Sequence, residues 1–354
     1  MSLKELAKRL GVKAIYVKDE SHRFGLGSFK VLGGTYAIGR ALARRLGDPI
    51  ENVTFDKLKS SEVREKLGTI TFATATDGNH GRGVAWTAKQ LGHQSVVYMP
   101  KGSSLSRLDH IREAGADVSI TEWNYDDSVR HAAHQAEIHG WEVIQDTSWE
   151  GYVEAPVHIM QGYTTMANEA LTQLTESEGK EPTHVFVQAG VGAFAGAVMA
   201  YLNNAMKESP IGVVIEPDQA DCLYRTCVAG DGQLHTVEGD MNTIMAGLAC
   251  GEPNPLGWEI LKEFADVFVS LPDSVAARGM RVLGNPLRGD TAVISGESGA
   301  VTTGFLSIVM TDERCEELRQ QLGLNEESVV LLFNTEGDTD PDMYRQVVWD
   351  CECK

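Results

Sequence analysis

The chain has 354 residues, 42% hydrophobic and 23% charged, an ordinary globular composition long enough for two subdomains with real cores. A formal net charge of −19 disfavours nucleic acid and anionic membrane as partners, and the acids are spread along the chain as suits solubility. No apolar run approaches the ~18 residues of a membrane span. The start, MSLKELAKRLGVKAIYVKDE, reads as an amphipathic helix entering a strand and lacks a signal-peptide core, so the expected location is cytoplasmic. Cys222, Cys227, Cys250, Cys315, Cys351 and Cys353 are expected to be free thiols, with a bridge from Cys250 to Cys222 or Cys227 left open. No metal-ligand spacing occurs.

In chain order, FGLGSFKVLGG (Phe24 to Gly34) comes first. Ser28 suits an N-cap, which puts Lys30 in the first turn of a helix running to about Leu46. The helix dipole and the apolar Phe29, Val31 and Leu32 should make that lysine lose its proton more easily. A polar segment (Gly47 to Gly68) precedes strand Thr69–Thr76, the loop Asp77-Gly78-Asn79-His80-Gly81 and a helix from Arg82. Strands around 94–99, 117–121 and 142–145 then alternate with helices of roughly ten residues, the pattern of βαβ units and a parallel sheet. Asp146 lies just past the last of these strands, where open α/β sheets place ligands. A long helix (about 155–174) leads to strand His184–Gln188 and the loop Gly190-Val191-Gly192-Ala193-Phe194-Ala195-Gly196. Strand Ile211–Ile215 ends at Glu216, Asp218–Pro255 reads as irregular loops, and helices follow near 257–264, 273–283 and after Gly296. Val329–Phe333 is a closing strand that runs into Asn334-Thr335-Glu336-Gly337-Asp338.

The chemistry lies in two places. A neutral lysine amine attacks an aldehyde, although a surface lysine is the plain alternative. The glycine loop at a helix start offers backbone N–H groups to a phosphate, although helix–strand packing would explain the same glycines. Its GxGxxxG pattern with Glu216 also approaches a dinucleotide fingerprint, but for one extra residue and its mid-chain position. An aldehyde and a phosphate together suggest pyridoxal 5'-phosphate.

The ordered set, S-F-K near the start, a strand ending in T-D-G-N-H and a mid-chain glycine loop, resembles the fold-type II pyridoxal-phosphate enzymes over nearly the whole chain. That resemblance implies an α/β fold of two subdomains, each with a mostly parallel twisted sheet flanked by helices. Residues 1–33 and 149–354 would form the larger cofactor-binding domain, and 34–148 a smaller substrate-gating domain inserted in it. Lys30 would be the Schiff-base lysine, Asn79 the partner of the cofactor's ring hydroxyl, and Gly190, Val191, Gly192 and Ala193 the phosphate cup. The ring nitrogen would face Asn334 or Thr335, both uncharged, so the ring would stay largely unprotonated, which suits β-elimination. A homodimer is the usual assembly.

Asp77 departs from that pattern, because relatives usually carry Ser or Ala before Gly-Asn-His, in the loop that receives the substrate's α-carboxylate. Two like charges ~4 Å apart repel by about 1 kcal/mol in water and about 4 at an effective dielectric of 20. A substrate with a second ammonium group would instead be favoured. The stretches T-D-G-N-H-G-R-G, Q-D-T-S-W-E-G-Y and Y-V-K-D-E-S-H-R-F-G-L resemble the diaminopropionate ammonia-lyase family. This implies 2,3-diaminopropionate plus water giving pyruvate and two ammonia, from either enantiomer. Lys30 would be the base for the L-form and Asp77 for the D-form, with Asp146 binding or protonating the departing β-amine. The Pro-Thr-Pro-Leu strand usual in that family is missing, so the expectation is either a truncated chain or a mis-assigned start.

Three other readings stand beside this one: a serine or threonine dehydratase of the same fold, a nucleotide-binding Rossmann oxidoreductase, and a non-catalytic sensor. His80 is expected to order its loop, and Glu297 and Ser298 to lie near cofactor or substrate.

Overall fold

Nine strands form among the described residues, 1–351 and 353, of the computed structural model. They are β1 (Ala14–Asp19), β2 (Thr71–Ala75), β3 (Gln94–Met99), β4 (Asp117–Ile120), β5 (Glu142–Val143), β6 (His184–Gln188), β7 (Ile211–Pro217), β8 (Val267–Leu271) and β9 (Val329–Asn334). All strand pairings are parallel, in two sheets ordered β1-β9-β6-β7-β8 and β4-β3-β2-β5. The chain divides into two compact units: Met1–Ser28, Met166–Pro253 and Gly257 onward in the larger, Phe29–Thr165 and Asn254–Leu256 in the smaller.

The larger unit holds the five-stranded sheet. Every residue of β6 (HVFVQ) and β9 (VVLLFN) is buried, as befits central parallel strands covered on both faces. Helices Asp273–Gly284 and Glu297–Thr311 pack backbone to backbone in this core. A Cβ on Gly279 would collide with Ala300 O, and one on Gly304 with Val275 O. The edge strand β8 is an addition to the expected elements. So is the helix Cys222–Ala229, in a stretch expected to be irregular. Glu216 starts that helix from outside it. Its carboxylate accepts from Leu223 N at 2.9 Å and Tyr224 N at 2.6 Å.

The smaller unit holds the four-stranded sheet over a core that includes Ala85, Val97, Met99, Leu108 and Ile111. Its polar segment forms two short helices, Phe55–Leu58 and Ser61–Leu67, capped by the Thr54 and Ser60 side chains. Three helices converge on the residues around Lys30: Val31–Leu46, Asn79–Gln90 and Glu154–Glu178. They can do so because two contact points are glycine. A Cβ on Gly83 would lie 2.8 Å from Val31 Cα, and one on Gly162 2.5 Å from Leu32 O. No described helix is long and apolar enough to cross a membrane. The six cysteines are unbridged.

Candidate active site

Lys30 stands one residue ahead of its helix, at the N-cap position, and not inside the first turn. Ser28 does not cap it. The Ser28 backbone is held in an antiparallel bridge to Glu336, and Gly337 N donates to Gly27 O at 2.9 Å, which draws residue 28 out of the helix path. The Lys30 side chain is 20% exposed, and its Nζ donates to Asp146 Oδ2 at 2.5 Å. Nζ also lies 5.5 Å from the Phe29 ring centroid and 5.8 Å from that of Tyr163. Easier loss of the proton, expected from the dipole and burial, is overturned here. Burial does push the amine down, but the Asp146 carboxylate, with Tyr163 and Asp77, outweighs it and the net shift is upward. The pair is an ammonium with a carboxylate: burial pushes Asp146 up, Lys30 and His80 push it down further, and it ends well below the usual carboxylate range.

Asp146 is framed from behind. Tyr125 OH donates to Oδ1 at 3.0 Å and Gln145 Nε2 lies 3.3 Å from the same oxygen. Gln145 is itself fixed by Ala75 N, Ala75 O, Thr74 Oγ1 and Tyr125 OH. Asp146 therefore does not cap a turn; it is a buried acid with one oxygen clamped and the other on Lys30. Neither does Asp77 cap the helix that follows, which starts at Asn79 after Gly78 with no side-chain cap. Its Oδ2 accepts from Arg107 Nη1 at 3.2 Å. Arg107 comes from the helix Leu105–Ala114 and reaches Asp77 across Gly78, where a Cβ would lie 3.1 Å from Arg107 Cδ. Tyr125 and Arg107 are site residues that no motif announced. Asn79, expected in a loop, is the half-buried first residue of its helix.

In the larger unit the glycine loop joins β6 to the helix Ala193–Ala205. Gly192 has φ +97°, which favours glycine, and a Cβ on Gly190 would lie 3.2 Å from both Cys250 Sγ and Leu248 Cα. The helix start has no side-chain cap and no acid in its own first turn, the setting in which helix N–H groups suit an anion. At the end of β9, Asn334 Nδ2 has both hydrogens engaged, by Asp19 Oδ1 at 2.8 Å and Ile294 O at 3.1 Å. Its Oδ1 is buried without a partner, as is Ser298 Oγ. Gln188 Nε2 donates to Thr335 Oγ1 at 2.7 Å. Glu297 is buried in the same helix start as Ser298. The dinucleotide reading fails at Glu216: both carboxylate oxygens face a helix start, and burial pushes the group up to about 8.

Lys30, Asp77, Asn79 and Asp146 thus belong to the smaller unit, with Lys30 and Asp146 in contact; Gly190, Val191, Gly192, Ala193, Asn334 and Thr335 belong to the larger. Within each unit these residues suit a part of pyridoxal phosphate: in the larger, a glycine loop at a helix start with the buried, partnerless Asn334 Oδ1 and Ser298 Oγ, and in the smaller, a lysine amine. Among the described residues no cluster could hold a metal ion.

Comparison with known proteins bears on the chemistry. A family model described as pyridoxal-phosphate dependent enzyme matches residues 1–335. The chain is 55% identical over 350 residues to the diaminopropionate ammonia-lyase of Escherichia coli (strain K12), covering 99% of this chain and 86% of that one. It matches a crystal structure of the holo diaminopropionate ammonia lyase from Escherichia coli with a TM-score of 0.93 and 52% identity, over 99% of this chain and 87% of the other. A structure of the Escherichia coli enzyme in complex with an aminoacrylate-PLP azomethine reaction intermediate matches with a TM-score of 0.91 and 52% identity, over the same shares.

Proposed function

The chain belongs to the diaminopropionate ammonia-lyases, within the pyridoxal-phosphate dependent enzymes, and we propose on that footing that it converts 2,3-diaminopropionate and water to pyruvate and two ammonia, from both the D and the L isomer. It is a carbon–nitrogen lyase that uses pyridoxal 5'-phosphate. The observation that carries the substrate reading is Asp146, a buried carboxylate with Oδ1 clamped by Tyr125 and Oδ2 open to an ammonium, here that of Lys30.

When bound, the cofactor supplies the electron-withdrawing ring that makes the substrate's α-hydrogen acidic. The N–H groups of Gly190 to Ala193 would hold its phosphate and Asn79 its ring hydroxyl. Thr335 would be the donor to its ring nitrogen: its oxygen already accepts from Gln188, which leaves its own hydrogen to give, whereas Asn334 has both amide hydrogens engaged. Lys30 would take the α-proton of the L-isomer as a neutral amine, a state that the ion pair with Asp146 opposes. Asp77 takes that of the D-isomer. As the β carbon–nitrogen bond breaks, the ionised Asp146 Oδ2 would hold the β-ammonium group, which leaves as ammonia without needing a further proton. The larger unit's part is to hold the cofactor and the smaller one's to gate the substrate. The working form is a homodimer in the cytoplasm.

A serine or threonine dehydratase is the second reading, favoured only by the shared fold. The deciding measurement is pyruvate release by the holoenzyme from each diaminopropionate isomer and from serine, with the visible spectrum recorded before and after addition. Colourless protein after supply of pyridoxal phosphate, or faster turnover of serine, rejects the proposal.

A further inference from the structure

His80 is the second residue of the helix Asn79–Gln90, and its side chain is 2% exposed. Its Nε2 lies 2.7 Å from Ile144 O. A carbonyl only accepts, so Nε2 carries the hydrogen and, in the neutral ring that burial favours, Nδ1 keeps a lone pair. Nδ1 is buried, has no hydrogen-bond partner, and lies 4.0 Å from Asp146 Oδ2. The other oxygen of Asp146 is held by Tyr125, so the carboxylate cannot turn away. Two buried acceptors, one of them anionic, therefore stand side by side.

Resting on the function read above, we propose that Asp146 Oδ2 and His80 Nδ1 form a two-acceptor seat for the β-ammonium group of a 2,3-diamino acid, which makes His80 a specificity-determining residue. A nitrogen about 2.8 Å from each acceptor meets both at an angle of roughly 90°, within reach of two N–H bonds of one ammonium. A β-hydroxyl has one hydrogen and leaves one buried acceptor unpaired, so serine is disfavoured. The plain alternative is that His80 only ties its helix to Ile144.

Two variants separate these roles. His80→Asn keeps a polar atom near the Nδ1 position and gives up the tie to Ile144 O. His80→Gln keeps a donor near the Nε2 position and gives up the acceptor. Steady-state turnover of 2,3-diaminopropionate and serine by each holoenzyme gives the ratio of kcat/KM. We expect His80→Gln to lower that ratio about tenfold or more, chiefly through KM for diaminopropionate, and His80→Asn to hold it within about threefold. A His80→Gln enzyme with the wild-type ratio overturns the proposal, whatever His80→Asn does. The second readout is histidine 15N NMR of the wild-type holoenzyme: the His80 Nδ1 signal should be that of an unprotonated nitrogen and should shift when ammonium chloride is added. A protonated Nδ1, or a signal indifferent to ammonium, overturns the proposal even where both variants lose selectivity. Wild-type enzyme that leaves diaminopropionate untouched would instead reject the functional reading, and the ammonium titration reads the seat independently of that.

Discussion

Arg107 Nη1 donates to Asp77 Oδ2 at 3.2 Å, and the arginine side chain is only 7% exposed against 20% for the acid. An unpaired carboxylate would repel a substrate carboxylate brought beside it. The Arg107 guanidinium offsets the charge of Asp77, and an acid becomes tolerable there.

Asp77→Asn takes the Asp77 carboxylate from the buried Arg107, and Arg107→Met takes this guanidinium from the acid. We expect Arg107→Met to destabilise the protein by about 2–4 kcal/mol, less than for a fully buried pair because Asp77 keeps some contact with water. The double variant should recover part of that loss. Urea unfolding of the four proteins measures the coupling; strict additivity would show that the contact carries no energy.

The same acid is expected to set which isomer reacts. Asp77→Asn should remove turnover of D-diaminopropionate far more than of the L-isomer, by ~10²-fold or more. Equal losses on the two isomers would contradict separate bases for the two enantiomers.

Lys30→Ala should abolish the visible absorbance that the holoenzyme owes to the lysine–cofactor link. It should also leave Asp146 without its cation, so the acid's hold on a proton strengthens. A variant that keeps the wild-type spectrum would exclude Lys30 as the attachment point.

Glu216 makes stability depend on pH in a defined direction. Its value in the folded chain is about 8, raised from 4.5 by burial. Between those values the unfolded chain has released the proton and the folded chain has not. The unfolded state then binds fewer protons, so the Glu216 contribution is full below pH 4.5 and is lost as pH rises through about 8. Glu216→Gln cannot titrate, so its unfolding free energy should fall less than that of the wild type between pH 5 and pH 8. Parallel pH profiles for the two proteins would count against this account.

Thr335→Val removes the hydroxyl that Gln188 orients. We expect a weaker hold on the cofactor and a lower kcat, with Asn334→Asp failing to compensate because a carboxylate there would face two acceptors, Asp19 Oδ1 and Ile294 O. Cofactor release followed by gel filtration and absorbance checks it; unchanged affinity in Thr335→Val would remove Thr335 from the site.

The order of lysine, acid-bearing loop and glycine loop was legible in the chain, because each depends on local chemistry: glycines beside a helix start, an acid at a strand end, and apolar runs long enough to be central parallel strands. Hydrophobic periodicity was likewise enough for βαβ units and a parallel sheet, since fully buried strands such as VVLLFN carry their own signal, whereas the division into two sheets came only with the family resemblance. Contacts between residues far apart in sequence were not legible. Lys30 and Asp146 are 116 positions apart, and Arg107 is 30 from Asp77. No local pattern says that Arg107 crosses Gly78, or that Tyr125 clamps Asp146. The charge state of Lys30 went the wrong way in the sequence reading for the same reason. Dipole and neighbouring side chains are local, whereas the opposing carboxylate arrives from another strand, and at 2.5 Å in a buried setting its field outweighs them.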